Sequence, residues 1–302
     1  MKRIITALIL IPLVLAGVLW LKPWIFSLLV GVVALLAADE LLNIADAAGF
    51  RPARYVVMLA VAVLFVAFPV RTDLMFGPLY ERVCGGMYFA VPRLPLIVLG
   101  VVIATAFFAL LIGMRHDDLR AAFAGAGVSV LAIPYIALGL GSLVLLKDLE
   151  FGPFLIFYLF IVVWSGDILA YYVGRALGRH HMAPRISPKK TWEGAAASFF
   201  SSIVLGTVFF HFAPAITGWM ANAHVLAQAS REPRALLSIL GLSALLNIVA
   251  QLGDLFESFL KRAGGVKDSG RLVPGHGGVL DRIDALLFAA PLLYYWSVFA
   301  SL

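Results

Sequence analysis

Residues 251–284 read QLGDLFESFLKRAGGVKDSGRLVPGHGGVLDRID and interrupt an otherwise apolar chain. They contain four Asp, one Glu, two Lys, three Arg, one His and seven Gly. The stretch begins as the end of one apolar helix and finishes as the start of the last one. A lipid-facing segment does not tolerate so many charges, because each charge is costly in hydrocarbon. We therefore interpret the stretch as a phosphate- and metal-handling site at a membrane surface.

The composition of the 302-residue chain indicates that lipid is its main solvent. Hydrophobic residues make up 62% and charged residues 13% of the chain, whereas a typical soluble domain is about half apolar and about a quarter charged. The chain has no internal repeat or linker, so we expect a single membrane domain over residues 1–302. Within it, residues 1–150 are expected to form a scaffold that offers oligomer contacts, and residues 151–302 to carry the catalytic helices and loops.

Apolar runs along the chain predict an all-α polytopic membrane protein with about nine transmembrane helices, since a span needs about 20 apolar residues. The first run is interpreted as an uncleaved span rather than a signal peptide, and Pro134 interrupts the fifth. The segment 213–234 is predicted to be a loop. The nine runs are 4–21, 24–42, 55–70, 94–114, 121–146, 151–173, 195–212, 235–260 and 283–302.

The distribution of Lys and Arg predicts the orientation of these helices. If the N-terminus is cytoplasmic, sixteen of the 23 basic residues fall in inner loops and the other seven in outer loops. Such a bias is typical of the cytoplasmic side. It places the loops 174–191 and 261–282 on the same side, so we expect a polar cleft in the C-terminal half that faces the cytoplasm.

Carboxylates on the last two helices indicate a cation site. Asp254, Glu257 and Lys261 follow spacings of three and four, so they share a helix face. Asp281 and Asp284 are three residues apart and share a face where the last helix begins. Three aspartates on two helices can bind Mg²⁺, which usually takes one or two carboxylates together with substrate phosphates and water. Zinc is disfavoured, because no second His or Cys accompanies His276.

Two basic loops are expected to bind phosphate. The loop 264–278 is rich in Gly, which lets backbone N–H groups turn toward an anion, and it runs into a helix N-terminus. The second loop carries SPKKT at 187–191 before another predicted helix, with Glu193 in the first turn. Asp39, Glu40 and Asp46 are interpreted as marking a helix end.

These motifs resemble the signature of the integral-membrane phosphatidate cytidylyltransferases, or CDP-diacylglycerol synthases. The matching residues are Ser258, Lys261-Arg262, Lys267-Asp268, Gly270, Pro274-x-His276-Gly277-Gly278 and Asp281-Arg282-Ile283-Asp284. The resemblance extends upstream to 251–258, to 186–194 and to Asp167. It is dense over roughly 167–284. Before Asp167 only the hydropathy pattern is similar.

The resemblance implies the reaction of CTP with phosphatidic acid to give CDP-diacylglycerol and pyrophosphate, at the cytoplasmic (inner) membrane. The lipid phosphate is already an anionic nucleophile, so positioning and charge stabilisation would suffice for catalysis. The implied partners are CTP, phosphatidic acid and the bilayer, with no nucleic acid. The implied cofactor is Mg²⁺. A second cation, a homodimer and the role of Asp167 are left open.

The signature also implies roles for individual residues. Some would act in catalysis, others would bind substrate, and three would bind metal. The catalytic set is Lys261, Arg262, Lys267, Asp268 and His276; the substrate set is Ser187, Lys189, Lys190, Glu193, Ser258, Gly277, Gly278 and Arg282; the metal set is Asp254, Asp281 and Asp284.

Other functions compete with this reading. A related CTP-dependent membrane enzyme, such as a polyprenol or phytol kinase, or a synthase acting on a different lipid backbone, would share a basic site. A secondary transporter would also carry intramembrane aspartates. Transporters often show paired halves with sites at the midplane, whereas the polar residues here gather in the C-terminal half, at one surface.

Overall fold

The computed structural model describes residues 2–70, 73–75, 90–229, 235–270 and 277–299, and within them the chain is mainly helical. His276 and Cys84 lie outside the described residues. The α-helices are α1 (Lys2–Trp20), α2 (Pro23–Ala47), α3 (Arg54–Ala67), α4 (Arg93–Gly113), α5 (Leu119–Ala132), α6 (Gly139–Lys147), α7 (Gly152–Leu177), α8 (Trp192–His211), α9 (Ala213–Asn222), α10 (Leu236–Ala263) and α11 (Leu280–Phe299).

Each predicted apolar run coincides with helix, with ends that differ by a few residues. Six helical segments in the described part of the chain are long and apolar enough to cross a membrane: Pro23–Ala47, Leu94–Gly113, Leu119–Lys147, Gly152–Leu177, Trp192–His211 and Leu236–Ala263. The other three predicted spans correspond to α1, α3 and α11. The fold is therefore that of a helical membrane protein.

The fifth predicted span is interrupted where expected, and the interruption is a π-helical turn. This turn, Ile133–Leu138, lies between α5 and α6 and contains Pro134. Proline has no N–H to give to the helical ladder, so the hydrogen-bond register changes locally.

Two segments predicted as loops contain regular structure. The expectation of a loop throughout 213–234 is wrong, because α9 occupies its first ten residues. Ala213, Thr217 and Met220 are buried at helical spacing and hold α9 against the bundle. Strands β3 (His181–Ala183) and β4 (Ser187–Thr191) form an antiparallel hairpin within the basic loop. A second short pair, β1 (Asp73–Met75) and β2 (Ala90–Pro92), precedes α4.

Polar side chains join α7, α8 and α10 inside the bundle. The amide of Asn247 donates to the hydroxyls of Ser198 (2.9 Å) and Ser202 (2.8 Å). A Cβ at Gly166 of α7 would lie 2.7 Å from the Asn247 and Ser198 side chains, so glycine is needed for this close approach. Within a membrane, where the hydrophobic effect between helices is weak, small residues and interhelical hydrogen bonds drive helices to associate. These contacts hold together the three helices that carry the candidate site.

Candidate active site

A cavity of about 280 Å³ lies where the hairpin β3–β4 meets α7 and α10. The structure thus brings Lys189 and Lys190 of one motif together with Asp254 of the other. The hairpin leads directly into α8, whose N-cap Thr191 accepts a hydrogen bond from the backbone N–H of Gly194 (3.2 Å). The polar residues that line the cavity are Asp167, Lys189, Lys190, Thr191, Ser198, Gln251 and Asp254.

Charges of both signs meet at the wall of this cavity. The Nζ atom of Lys190 lies 2.6 Å from Oδ2 of Asp254, and both side chains are partly exposed. Asp167 is close enough to interact with the charges of Asp254, Lys190 and Arg282. A substrate phosphate that entered here would meet the lysine, and a cation would meet the carboxylates.

Lys261 forms buried salt bridges that join α10 to α11. Its ammonium group pairs with Glu257, one turn earlier on α10, and lies 2.5 Å from Oδ1 of Asp281 on α11. The side chain of Lys261 is 12% exposed, while those of Glu257 and Asp281 are 1% and 8% exposed. The lysine is therefore shared by two buried carboxylates, and its charge is already engaged inside the protein.

Asp281 anchors the loop that joins α10 to α11. Its Oδ2 atom accepts hydrogen bonds from the backbone N–H groups of Ser269 (3.0 Å) and Gly278 (2.8 Å), and lies 3.0 Å from the Ser269 hydroxyl. Together with Lys261, these contacts occupy both carboxylate oxygens. Asp284, one turn further along α11, has a carboxylate that interacts with the charges of Asp254, Glu257 and Asp167.

The sequence analysis missed Glu40. This residue is not at a helix end, because α2 continues for seven residues beyond it to Ala47. It is 3% exposed, and its carboxylate accepts hydrogen bonds from the Ser269 hydroxyl and from the backbone N–H groups of Val279 and Leu280. The available signal was a carboxylate within an apolar span, which by default indicates a functional position.

Three glycines of the loop make room for carboxylates of the protein itself. A Cβ at Gly270 would lie 2.3 Å from Glu40, and a Cβ at Gly278 would lie 2.1 Å from the Ser269 hydroxyl. Gly277 has a φ of 82°, which favours glycine, and a Cβ there would lie 2.6 Å from Asp281. Gly278 also gives its N–H to Asp281. These glycines thus have structural roles within the loop, and substrate binding by Gly277 and Gly278 stays a prediction.

Other predicted site residues have structural partners. The guanidinium of Arg262 donates to the backbone oxygens of Ile186 (3.1 Å) and Val266 (3.3 Å), and so ties the turn between β3 and β4 to the end of α10. Glu193 accepts from the backbone N–H of His180 and lies 2.6 Å from its ring nitrogen Nδ1.

The remaining predicted residues differ in burial and position. Ser258 is buried on α10, and Ser187 lies in β4 opposite Ala183. Arg282 is exposed on the first turn of α11. Lys267 and Asp268 are exposed near the end of α10.

The donor set fits a cation that is shared with substrate. Among the residues that the structure describes, no three His, Cys, Asp or Glu side chains form a group that could hold a metal ion by themselves. Magnesium, however, is usually bound by one or two carboxylates together with substrate phosphates. Asp254 and Asp284 lie on adjacent helices and interact electrostatically. Asp281, in contrast, already binds Lys261, Ser269 and Gly278.

Comparison with known proteins places the chain in a family. The cytidylyltransferase family profile matches residues 1–300. A protein of Brucella abortus named phosphatidate cytidylyltransferase is 45% identical over 178 residues, which cover 58% of this chain and 59% of the relative. Proteins of that name from Bacillus subtilis and Staphylococcus aureus are 38% and 35% identical, over 63% and 67% of this chain and 66% and 70% of their own lengths. The chain thus belongs to the cytidylyltransferase family.

Proposed function

We propose that this protein transfers CMP from CTP to phosphatidic acid, giving CDP-diacylglycerol and pyrophosphate. The observation that carries the proposal is the cavity in which Lys189 and Lys190 meet Asp254 and Asp167, which lie on long apolar helices. One substrate is a soluble polyanion and the other carries acyl chains, so the site must be basic, able to bind a cation, and open to lipid. The relatives named phosphatidate cytidylyltransferase support this choice of substrates.

In the proposed reaction, a phosphate oxygen of phosphatidic acid attacks the α-phosphorus of CTP. A new phosphorus–oxygen bond forms as the bond to the β-phosphate oxygen breaks, and pyrophosphate leaves. The residues of the chain need to bind, orient and neutralise these groups, because the nucleophile is already an anion. Lys189 and Lys190 would contact substrate phosphates in the cavity. Lys267, exposed near the end of α10, would reach the pyrophosphate.

Asp254 and Asp284 would hold Mg²⁺ in this proposal. When bound, the cation would neutralise charge that develops on the phosphate oxygens. Asp281 would contribute mainly by holding Lys261, Ser269 and Gly278 in place, because its oxygens already have these partners. Lys261 would then act by fixing α10 against α11 rather than as a freely available phosphate ligand.

The proposed function predicts a specific fate for each phosphate of CTP. Purified protein with phosphatidic acid, Mg²⁺ and CTP labelled at the α-phosphate should yield labelled lipid, whereas CTP labelled at the γ-phosphate should not. Chelation of Mg²⁺ should abolish the product, and added Mg²⁺ should restore it. Lipid labelled from the γ-phosphate would identify a kinase instead, and metal-independent solute flux in liposomes would favour a transporter.

We further propose nine membrane spans, with the N-terminus and the cavity on the cytoplasmic side of the inner membrane. The Lys and Arg bias supports this orientation, and α1, α3 and α11 would add three spans to the six long apolar segments. A cysteine replacing the exposed Lys267, in a Cys84→Ser background, should react with a membrane-impermeant maleimide only from the cytoplasmic side of sealed vesicles. Reaction from the opposite side would contradict this topology.

A further inference from the structure

Glu40 connects α2 to Ser269, which follows α10, and to the N-terminus of α11. On one side, its Oε2 atom lies 2.7 Å from the hydroxyl of Ser269. On the other, Oε1 accepts from the N–H of Val279 (2.9 Å) and Oε2 from the N–H of Leu280 (2.8 Å). The carboxylate thus bridges residues that lie 229 to 240 positions away in sequence.

The contacts of Glu40 lie at the N-terminus of α11. The first N–H groups of a helix have no partner within it, and a negative charge there also interacts favourably with the helix dipole. Usually a residue just before the helix supplies this cap, but here the cap comes from another helix. The position of α2 therefore helps to set where α11 begins; Asp281 lies in the first turn of α11, and Asp284 follows one turn later.

A short chain of contacts leads from Glu40 to the candidate catalytic residues. The Ser269 hydroxyl lies between the carboxylates of Glu40 (2.7 Å) and Asp281 (3.0 Å), and Asp281 in turn binds Lys261. A hydroxyl has one proton to donate, and the shorter distance assigns it to Glu40. The backbone N–H of Ser269 remains for Asp281, so both carboxylates are satisfied at once.

We propose that Glu40 is a positioning residue for cytidylyl transfer, acting through Ser269 and the N-terminus of α11 to hold Asp281 and Asp284 in register with Asp254. This inference rests on the proposed function. Glu40 itself does not touch substrate. The glycines at 270 and 278 belong to the same arrangement, because a side chain at either position would collide with the Glu40–Ser269 pair.

The test is the isosteric variant Glu40→Gln, which keeps the side-chain volume but removes the charge and places an amide donor against backbone donors. We expect kcat to fall about 10- to 100-fold, the usual range when a supporting hydrogen-bond partner is lost. The KM for CTP should change by less than about threefold, because the lost interaction acts on the reacting geometry rather than on uniform binding. Backbone amides of Val279 and Leu280 should exchange with deuterium faster than in the wild type.

Asp39→Asn is the matched control, since the neighbouring Asp39 is partly exposed and pairs with Arg54 instead. It should retain wild-type kcat and wild-type exchange at Val279 and Leu280. If Glu40→Gln does not fold, Ser269→Ala provides the second variant, because it removes only the hydroxyl contact and should also lower kcat. For Glu40→Gln, wild-type kcat in the folded protein, or a lower kcat with wild-type exchange at Val279 and Leu280, would overturn the inference. For Ser269→Ala, wild-type kcat in the folded protein would overturn it. A wild-type protein that made no CDP-diacylglycerol would instead refute the proposed function, and the exchange comparison needs no substrate.

Discussion

The Asp284→Asn variant should lose at least about 100-fold in the rate of CDP-diacylglycerol synthesis, because a neutral amide would not hold the cation proposed to bind between α10 and α11. The same variant should be at least as resistant to thermal unfolding as the wild type. The charge of Asp284 faces those of Asp254, Glu257 and Asp167, so its removal relieves repulsion. The hydrogen bond that its carboxylate accepts from the N–H of Ala285 can be kept by the Asn oxygen.

Comparison with the Asp281→Asn variant distinguishes the roles of the two aspartates. We expect it to lose both activity and thermal stability, because Asp281 accepts two backbone hydrogen bonds and pairs with the buried Lys261. The two measurements are the initial rate with α-labelled CTP and the midpoint of thermal unfolding in detergent. Near-normal synthesis by a folded Asp284→Asn variant would contradict the metal assignment. Equal stability losses in both variants would contradict the distinction between their roles.

Replacing Lys261 with Met should produce the largest loss of stability among these variants. The substitution leaves the buried carboxylates of Glu257 and Asp281 without their shared cation. Removing one partner of a buried ion pair typically costs about 3–5 kcal/mol. The loss should appear as a lower midpoint of thermal unfolding in detergent, together with a loss of synthesis.

Two further variants test the cause of that loss. Lys267→Met is the control, since Lys267 is exposed and surface substitutions usually change stability by less than about 0.5 kcal/mol. The double variant Lys261→Met with Glu257→Gln should recover part of the loss, because it removes one of the two unpaired charges. A Lys261→Met protein as stable as the Lys267→Met control would show that the salt bridges of Lys261 contribute little to stability.

Local sequence pattern was sufficient to locate the long helices. Long apolar runs specify spans because every backbone group in hydrocarbon must form its hydrogen bond within its own segment. Pro134 marked the irregular turn because proline has no N–H to donate to the helix. Short elements escaped this reasoning. The helix α9 and the hairpin of β3 and β4 depend on packing against the bundle, since neither is long enough to be stable alone.

Motif reasoning named residues that the structure brings together, and their roles toward substrate stay predictions. Lys190 and Asp254 meet in the cavity, and Lys261 and Asp281 are joined. Arg262 donates to backbone oxygens, and its predicted catalytic role stays a prediction. The sequence does not reveal which group a Lys or Arg of a motif binds. The same side chain can bind a carboxylate or carbonyl of the protein or a phosphate of the substrate.

By itself, the sequence determined the membrane setting, the order of the helices, and the concentration of charge and glycine in residues 251–284. Those features depend on composition and on neighbours within one or two helical turns. Only the tertiary structure decided that Glu40 of α2 caps α11 and that Gly270 and Gly278 leave room for it. Such a contact depends on how helices more than 200 residues apart pack together, and neither hydropathy nor helical periodicity carries that information.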